Sequence, residues 1–211
     1  MHYMLCAQNK NGSFETAKEL TAKWDNQVIT YSIKNSTSDF DYLRKALNLA
    51  MTSWDIEIPI KLKYTNKTGD INLEFSVSDK YFTDSPGVLA YAYFPDSGAL
   101  SGKIVFNDNY LWSIDGKPIT ALEYTKRTGK QVSNMNNMFA TYNITHTLIH
   151  EIGHSLGLIH SNFKNDVMYP FYNGVTILSD NDIIRITNKY GKSSPPKRLK
   201  EWLLRCMKPG K

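Results

Sequence analysis

Three histidines and a glycine within eleven residues constrain this chain more than any other feature of its sequence. His150 and His154 stand four positions apart, Glu151 follows the first of them, and Gly157 precedes His160 by three positions. On a helix, residues four apart lie one turn apart on one face, so both imidazoles can reach one ion. Gly157 can adopt a left-handed conformation, end the helix and return His160 to that ion. The motif therefore predicts a helix, a turn and a three-histidine metal site.

Three neutral imidazoles are typical of a catalytic zinc ion, because they leave one of four tetrahedral positions open for water. Zinc lowers the pKa of that water to about 7, and Glu151 would take its proton and later pass it to the departing amine. The alternatives are a chance pattern in a helix without metal, and a protein that keeps zinc but has lost turnover. The motif uses three of the chain's five histidines, and this favours the enzyme.

Strand-like and helix-like patterns alternate from Trp24 onward. Apolar residues at every second position predict strands at residues 28–34, 60–64, 71–77, 88–94 and 103–106. Apolar residues at three- and four-residue spacing predict three helices, one ending at Trp54, one over 144–156 and one from Ser179 to Tyr190. Residues 113–142 contain Gly116, Pro118 and Gly129 with little periodicity, so they predict a long surface loop. This order predicts a mixed five-stranded sheet with helices packed on it.

The net charge of +5 lies in the last twenty residues, not in the body of the chain. Residues 192–211 hold seven basic residues and one acidic residue, which leaves the rest close to neutral and gives no reason to expect a nucleic-acid partner. In this tail, Leu199, Trp202, Leu203 and Met207 share a helical face among basic residues. The tail could bind an anionic membrane or an acidic partner. The preferred interpretation is that its apolar stripe packs on its own domain.

The residues after the third histidine carry a family resemblance. His160 is followed by Ser161 and by Asn165-Asp166-Val167-Met168-Tyr169-Pro170, and with the histidine motif this run resembles the matrixins, the matrix metalloproteinases of the metzincin clan. The resemblance covers residues 23–191, after an N-terminal segment 1–22 that could be propeptide-like. It implies an α+β catalytic domain with a twisted mixed five-stranded sheet, an antiparallel edge strand, an active-site helix and a C-terminal helix. It also implies that Met168 forms the Met-turn beneath the metal.

By the same resemblance, residues 87–94 form the edge strand that pairs with an extended substrate, main chain to main chain. Leu89 and Ala90 on this strand, together with His146, Pro170 and Tyr172, are the implied substrate-binding residues. The alternative for His146 is a solvent-facing residue near the helix start. If His146 lines the pocket, its protonation near pH 6 would alter substrate preference.

The sequence departs from the family pattern at the additional ion sites. The positions of the structural-zinc histidines correspond to Tyr91 and Val105, so we expect one catalytic zinc and no structural zinc. The usual acidic calcium ligands are replaced by the run Asn107-Asp108-Asn109, in which two amides remove charge. Asp96 and Asp108 leave a weak calcium site open.

Cys6 lies 18 residues before Trp24, close to the spacing at which matrixin propeptides place a thiolate that blocks zinc. The flanking arginine and proline of the propeptide are missing, so the alternative is an incidental terminal thiol. The chain has only one further cysteine, Cys206, which is too few for a disulfide framework.

The sequence as a whole predicts a monomeric zinc-dependent endopeptidase that hydrolyses extended polypeptides with metal-activated water. The alternative is a catalytically weak or inactive zinc-stabilised module that binds peptides or proteins. The resemblance implies an extracellular or secreted protein, although the first residues show no signal peptide.

Overall fold

A computed structural model of the chain describes residues 3–7, 22–34, 40–85 and 87–194. The predictions for Cys206 and for the basic tail from residue 195 onward lie outside the described residues. Within them, no helix combines the length and the apolar character that crossing a membrane requires.

The central sheet contains the five strands that the sequence predicts. They are β2 (Val28–Ile33), β3 (Lys61–Tyr64), β4 (Ile71–Ser76), β5 (Val88–Tyr93) and β6 (Lys103–Asn107). β3, β2, β4 and β6 run parallel to their neighbours, whereas β5 is antiparallel to β6. Alternate residues of β4 are buried, which is the pattern of a strand with one face on the core. The prediction of a mixed five-stranded sheet with one antiparallel pair is confirmed.

A sixth strand, β1 (Tyr3–Ala7), extends this sheet. It pairs antiparallel with β5 on the side away from β6, so the strand order is β1-β5-β6-β4-β2-β3. Periodicity does not predict β1, because its sequence YMLCA has apolar residues at successive positions and no alternation with polar ones. The strand expected at the open edge is therefore covered by the chain's own N-terminal segment.

The three predicted helices are present, with small shifts at their ends. They are α1 (Phe40–Asp55), α4 (Ile144–Ser155) and α5 (Asp180–Tyr190). Ser179 caps α5 in a capping box with Asp182, as the sequence indicates. α1 and α4 pack against each other on the sheet, and the indole Nε1 of Trp54 donates a hydrogen bond of 2.9 Å to the Ile149 carbonyl in their buried interface.

Residues 113–142, which the sequence predicts as a long surface loop, contain secondary structure that the prediction does not include. The segment contains α3 (Ala121–Thr128) and four two-residue strands, β7 (Trp112–Ser113), β8 (Ile119–Thr120), β9 (Met138–Phe139) and β10 (Tyr142–Asn143). Thr120 caps α3, and Gly129 ends it in the left-handed conformation. The ring of Tyr124 stacks on that of Phe139 at 3.9 Å between centroids. A further short helix, α2 (Lys80–Asp84), was also not predicted.

Candidate metal centre

Helix α4 carries the first two histidines of the motif and is buried along its whole length. The Asn143 side chain caps its first turn by accepting a hydrogen bond of 3.0 Å from the His146 amide. Burial on all sides fixes the direction of each side chain on α4, because neighbouring elements surround it. The helix is therefore a rigid support for ligands.

The three histidines converge as the motif predicts. Nε2 of His150 lies 3.0 Å from Nε2 of His154, and His160 joins them so that one nitrogen from each ring lies within 4.8 Å of the others. Both helical histidines are fully buried. One nitrogen from each of the three rings could therefore bind the same tetrahedral cation.

Backbone carbonyls fix the tautomer of the two helical histidines. Nδ1 of His150 lies 2.7 Å from the Val167 carbonyl, and Nδ1 of His154 lies 2.7 Å from the Leu158 carbonyl. A carbonyl only accepts hydrogen bonds, so each Nδ1 carries the proton and each Nε2 presents a lone pair. Burial lowers the pKa of both rings well below the ordinary histidine value, which keeps them neutral. Two lone pairs facing each other fit a bound zinc ion.

The turn after α4 brings the third histidine back to the site. Gly157 has φ of 90°, and its amide donates 2.8 Å to the His154 carbonyl to close the helix. A Cβ at this position would lie 2.3 Å from the Ala22 carbonyl oxygen, so glycine is required on two grounds. The guanidinium of Arg185 on α5 then holds the chain before His160 by donating 2.8 Å to the Ile159 carbonyl.

Met168 is fully buried and packs against α4. It reaches the helix where Gly153 has no side chain, beside the ring of Trp54. The carboxylate of Asp182 on α5 accepts hydrogen bonds from the amides of Val167 at 2.8 Å and of Met168 at 3.4 Å. Since the Val167 carbonyl orients His150, this turn also positions a ligand.

Glu151 follows the first histidine and is fully buried. Neither of its carboxylate oxygens has a hydrogen-bond partner among the described residues. Burial raises its pKa well above the ordinary glutamate value. A buried carboxylate without partners is costly, and such a group beside a cation site is typical of a proton acceptor in catalysis.

The residues implied to bind substrate come from β5, from α4 and from the chain after Met168. Leu89 and Ala90 are fully buried on β5, and Pro170 is buried in the chain that follows Met168. Tyr172 places its ring edge-on to His146 at 5.1 Å between centroids.

Two expectations for His146 are wrong. The side chain is fully buried, so the solvent-facing alternative fails. Its Nδ1 lies 2.5 Å from the Val175 carbonyl, and burial lowers its pKa to about 4, so the ring is not protonated near pH 6.

Tyr91, Val105 and Asn107, which stand at positions of the family's additional ion sites, form hydrogen bonds and apolar contacts instead. The Tyr91 hydroxyl donates 2.7 Å to the Asp79 carboxylate, and Val105 packs with Tyr91, Phe82 and Val88 in a second apolar cluster. Nδ2 of Asn107 donates 3.0 Å to the Val88 carbonyl. Within the described ranges, the three histidines of the motif are the one group of His, Cys, Asp and Glu side chains placed to share an ion.

Sequence reasoning missed a network around Asp166. Its carboxylate accepts hydrogen bonds from the hydroxyls of Ser161 and Ser179 and from the amide of Asn181. These hydrogen bonds connect the chain after His160 and the turn before Met168 to the start of α5. The motif could not indicate this role, because the partners come from two stretches of sequence, one before Asp166 and one at the start of α5.

Comparison with known proteins places this arrangement in a family. A family model described as Matrixin matches residues 23–191. Human matrilysin is 34% identical over 183 residues, covering 82% of this chain and 60% of that protein.

Two further relatives are also matrix metalloproteinases. Matrix metalloproteinase-18 of Xenopus laevis is 29% identical over 202 residues, covering 90% of this chain and 38% of the relative. Matrix metalloproteinase-C of Caenorhabditis elegans is 32% identical over 189 residues, covering 82% of this chain and 29% of the relative. The chain thus spans 60% or less of the length of these relatives.

Proposed function

Because the chain belongs to the matrixin family, we propose that it is a zinc-dependent endopeptidase that hydrolyses peptide bonds in extended polypeptide segments. The observation that carries this proposal is the convergence of three imidazole nitrogens beside a buried carboxylate without partners. A cation site accounts for the convergence of the histidine lone pairs. A role in proton transfer accounts for a buried carboxylate without hydrogen-bond partners.

His150, His154 and His160 would hold the metal through their ring nitrogens, with the first two oriented by the carbonyls of Val167 and Leu158. Zinc, when bound, supplies a Lewis acid for the scissile carbonyl and a position for the attacking water. Burial lowers the pKa of His150 and of His154, which keeps these two rings neutral and leaves their Nε2 lone pairs for the ion.

Glu151 is the proton carrier in this proposal. It accepts the proton of the attacking water and delivers it to the nitrogen of the departing amine. Burial raises its pKa and so strengthens it as a base, while a nearby cation would offset part of that shift.

The substrate would bind along β5 in an extended conformation, with Leu89 and Ala90 supplying main-chain hydrogen bonds. His146 and Tyr172, with Pro170 beside them, would line the pocket for a side chain next to the cleaved bond. The edge-on packing of these two rings supports a wall of fixed shape. The family resemblance also supports an extracellular site of action.

Digestion of a broad peptide library tests the proposal. We expect cleavage by the zinc-loaded chain, a loss of at least a hundredfold in Glu151→Ala, and a loss after chelation that added zinc restores. Glu123→Ala is the matched control, because this glutamate lies on α3 and forms a solvent-accessible ion pair with Arg127, and the activity of the variant should equal that of the parent.

Absence of cleavage by the parent would contradict the proposal. If the same sample still retained peptides from the library, the chain would be a binding module instead.

A further inference from the structure

A basic groove lies at the end of β3, the strand at the far end of the sheet from β1. Its volume is about 570 Å³. The residues that line this β3 groove are Thr30, Arg44, Lys63, Tyr64, Thr65 and Asn66. The strands β6, β4 and β2 separate β3 from β5, so at about 4.8 Å per strand the groove lies roughly 19 Å from β5. The proposed function uses none of its residues.

Arg44 on α1 is a cation held in place by an aromatic ring. Its Cζ lies 5.0 Å from the centroid of the Tyr64 ring, over the face of that ring. The ring offers no acceptor atom, so the contact leaves the N–H donors of the guanidinium for another partner. The side chain of Arg44 is exposed. A guanidinium of this kind binds a carboxylate through two parallel hydrogen bonds.

Lys61 and Lys63 extend the positive charge along β3. Both are exposed and stand two positions apart, so they share one face of the strand at a repeat of about 6.6 Å. In the part of the chain that the structure describes, neither lysine nor Arg44 forms a salt bridge. The carboxylate of Asp70 beside the groove is engaged instead by the amide of Thr30 at 2.7 Å. The groove therefore keeps an excess of positive charge.

Side chains, not the main chain, are the groups that this edge offers to a partner. Lys61 and Thr65 donate their amides to β2, so the Leu62 amide between them faces the free edge of β3. Asp55 already accepts a hydrogen bond of 2.7 Å from that amide. The edge therefore does not present a continuous ladder to an added strand.

We propose that the β3 groove and the adjoining Lys61 bind an acidic, extended segment of the polypeptide substrate through its carboxylates. An extended peptide repeats its side chains on one face about every 6.6 Å, which is the repeat of the two lysines on β3. A distance of roughly 19 Å needs about six extended residues, so one substrate chain can reach both the groove and β5. The inference rests on the proposed function only for the identification of this ligand as substrate.

Fluorescence anisotropy of a labelled peptide tests the groove without catalysis. The probe is a fluorescein-labelled octapeptide of alternating glutamate and serine, and every protein carries Glu151→Ala. We expect Arg44→Gln with Lys63→Gln to bind it at least tenfold more weakly than the parent, because two charge-assisted contacts are lost. The matched control is Lys126→Gln with Lys130→Gln, which removes the same charge from exposed positions on and after α3. Its affinity should stay within about twofold of the parent.

Three results in this experiment would overturn the proposal. The first is equal affinity of the parent and the groove variant. The second is an equal loss in the groove variant and the control, which would mean that the peptide responds to net charge alone. The third is tighter binding of a sulfated disaccharide than of the unlabelled peptide in competition, which would identify the groove as a glycan site.

Kinetics on the catalytically intact chain test the link to substrate. Two substrates share one cleaved segment, and one of them continues through a flexible glycine-serine spacer into the glutamate-serine octapeptide. Its KM should be about tenfold lower than that of the plain substrate, with kcat unchanged, and the difference should vanish in Arg44→Gln with Lys63→Gln. Equal KM values in the parent would overturn the assignment to substrate. If neither substrate is cleaved, the proposed function fails, while the anisotropy comparison still decides whether the groove binds acidic peptide.

Discussion

At the residue scale, Gly153 shows how closely α4 packs against Met168 and Trp54. A Cβ at this position would lie 2.3 Å from the sulfur of Met168 and 3.0 Å from Cζ2 of Trp54. Both distances are shorter than ordinary van der Waals contact. The hydrogen bond from the indole Nε1 to the Ile149 carbonyl restrains the ring of Trp54. The absence of a side chain at Gly153 therefore lets Met168 pack directly against α4.

We predict that Gly153→Ala lowers the free energy of unfolding of the zinc-free protein by about 1–3 kcal/mol, because it overpacks this contact. Denaturant unfolding measures the change. Asn188→Ala, at an exposed position of α5, is the control and should stay within about 0.5 kcal/mol of the parent. Equal stability of the two variants would show that the helix and Met168 can separate without cost.

Asp166 stabilises the same region by electrostatics. Burial opposes its ionisation, but hydrogen bonds from Ser161, Ser179 and Asn181 outweigh burial and lower its pKa below the ordinary aspartate value. A carboxylate with a lowered pKa in the folded state contributes stability above its unfolded pKa of about 3.9 and loses it as the pH falls through the folded value.

Replacement of Asp166 by asparagine tests this contribution. We predict that Asp166→Asn is less stable than the parent by about 1–3 kcal/mol at pH 7. The difference should shrink on acidification below about pH 4, because the parent then becomes neutral at this position as well. Unfolding curves of the zinc-free proteins from pH 3 to pH 7 provide the measurement. A difference that does not vary with pH would rule out the ionised form as its source.

At the scale of elements, the turn that ends α4 decides whether three ligands can meet. Gly157 has positive φ and faces the Ala22 backbone, so a side chain there is both strained and obstructed. Its neighbour Leu158 orients His154, and two residues later the chain supplies His160. A change in this turn would therefore move two ligands at once.

Gly157→Ala should weaken zinc binding at least tenfold, as measured by competition with a chromophoric chelator. The control is Gly129→Ala at the end of α3, which has a similar φ of 71° but open space around its Cβ position. It carries the backbone strain without touching the site, so its zinc affinity should equal that of the parent. Parental affinity in Gly157→Ala would mean that the turn does not set the ligand geometry.

The elements differ in how far the sequence could predict them. The five sheet strands and the helices α1, α4 and α5 follow from periodicity and caps such as Ser179, which are local signals. Periodicity does not predict α3, because its eight residues lie between Pro118 and Gly129, which are typical of loops, although Thr120, Glu123 and Gly129 provide a cap at each end. β1 pairs with a strand more than eighty residues away, and no local pattern encodes that contact.

At the scale of the whole molecule, the site is assembled from segments that only the tertiary fold brings together. The motif predicts the three histidines and Glu151, and the resemblance adds Met168. The carbonyls of Val167 and Leu158 could not be predicted, because the orientation of a backbone group depends on the packing around it. The segment before β2 also contacts α5, because the Trp24 amide donates a hydrogen bond of 3.1 Å to the hydroxyl of Tyr190.

Zinc titration of the parent and of single histidine variants tests the central claim most directly. We predict one tightly bound zinc per parent chain, and at least a hundredfold weaker binding in His150→Ala, His154→Ala and His160→Ala, because each variant loses one of three ligands. His2→Ala, which lies outside the motif, should bind as the parent does. A parent that holds no zinc, or histidine variants that hold it unchanged, would contradict the account.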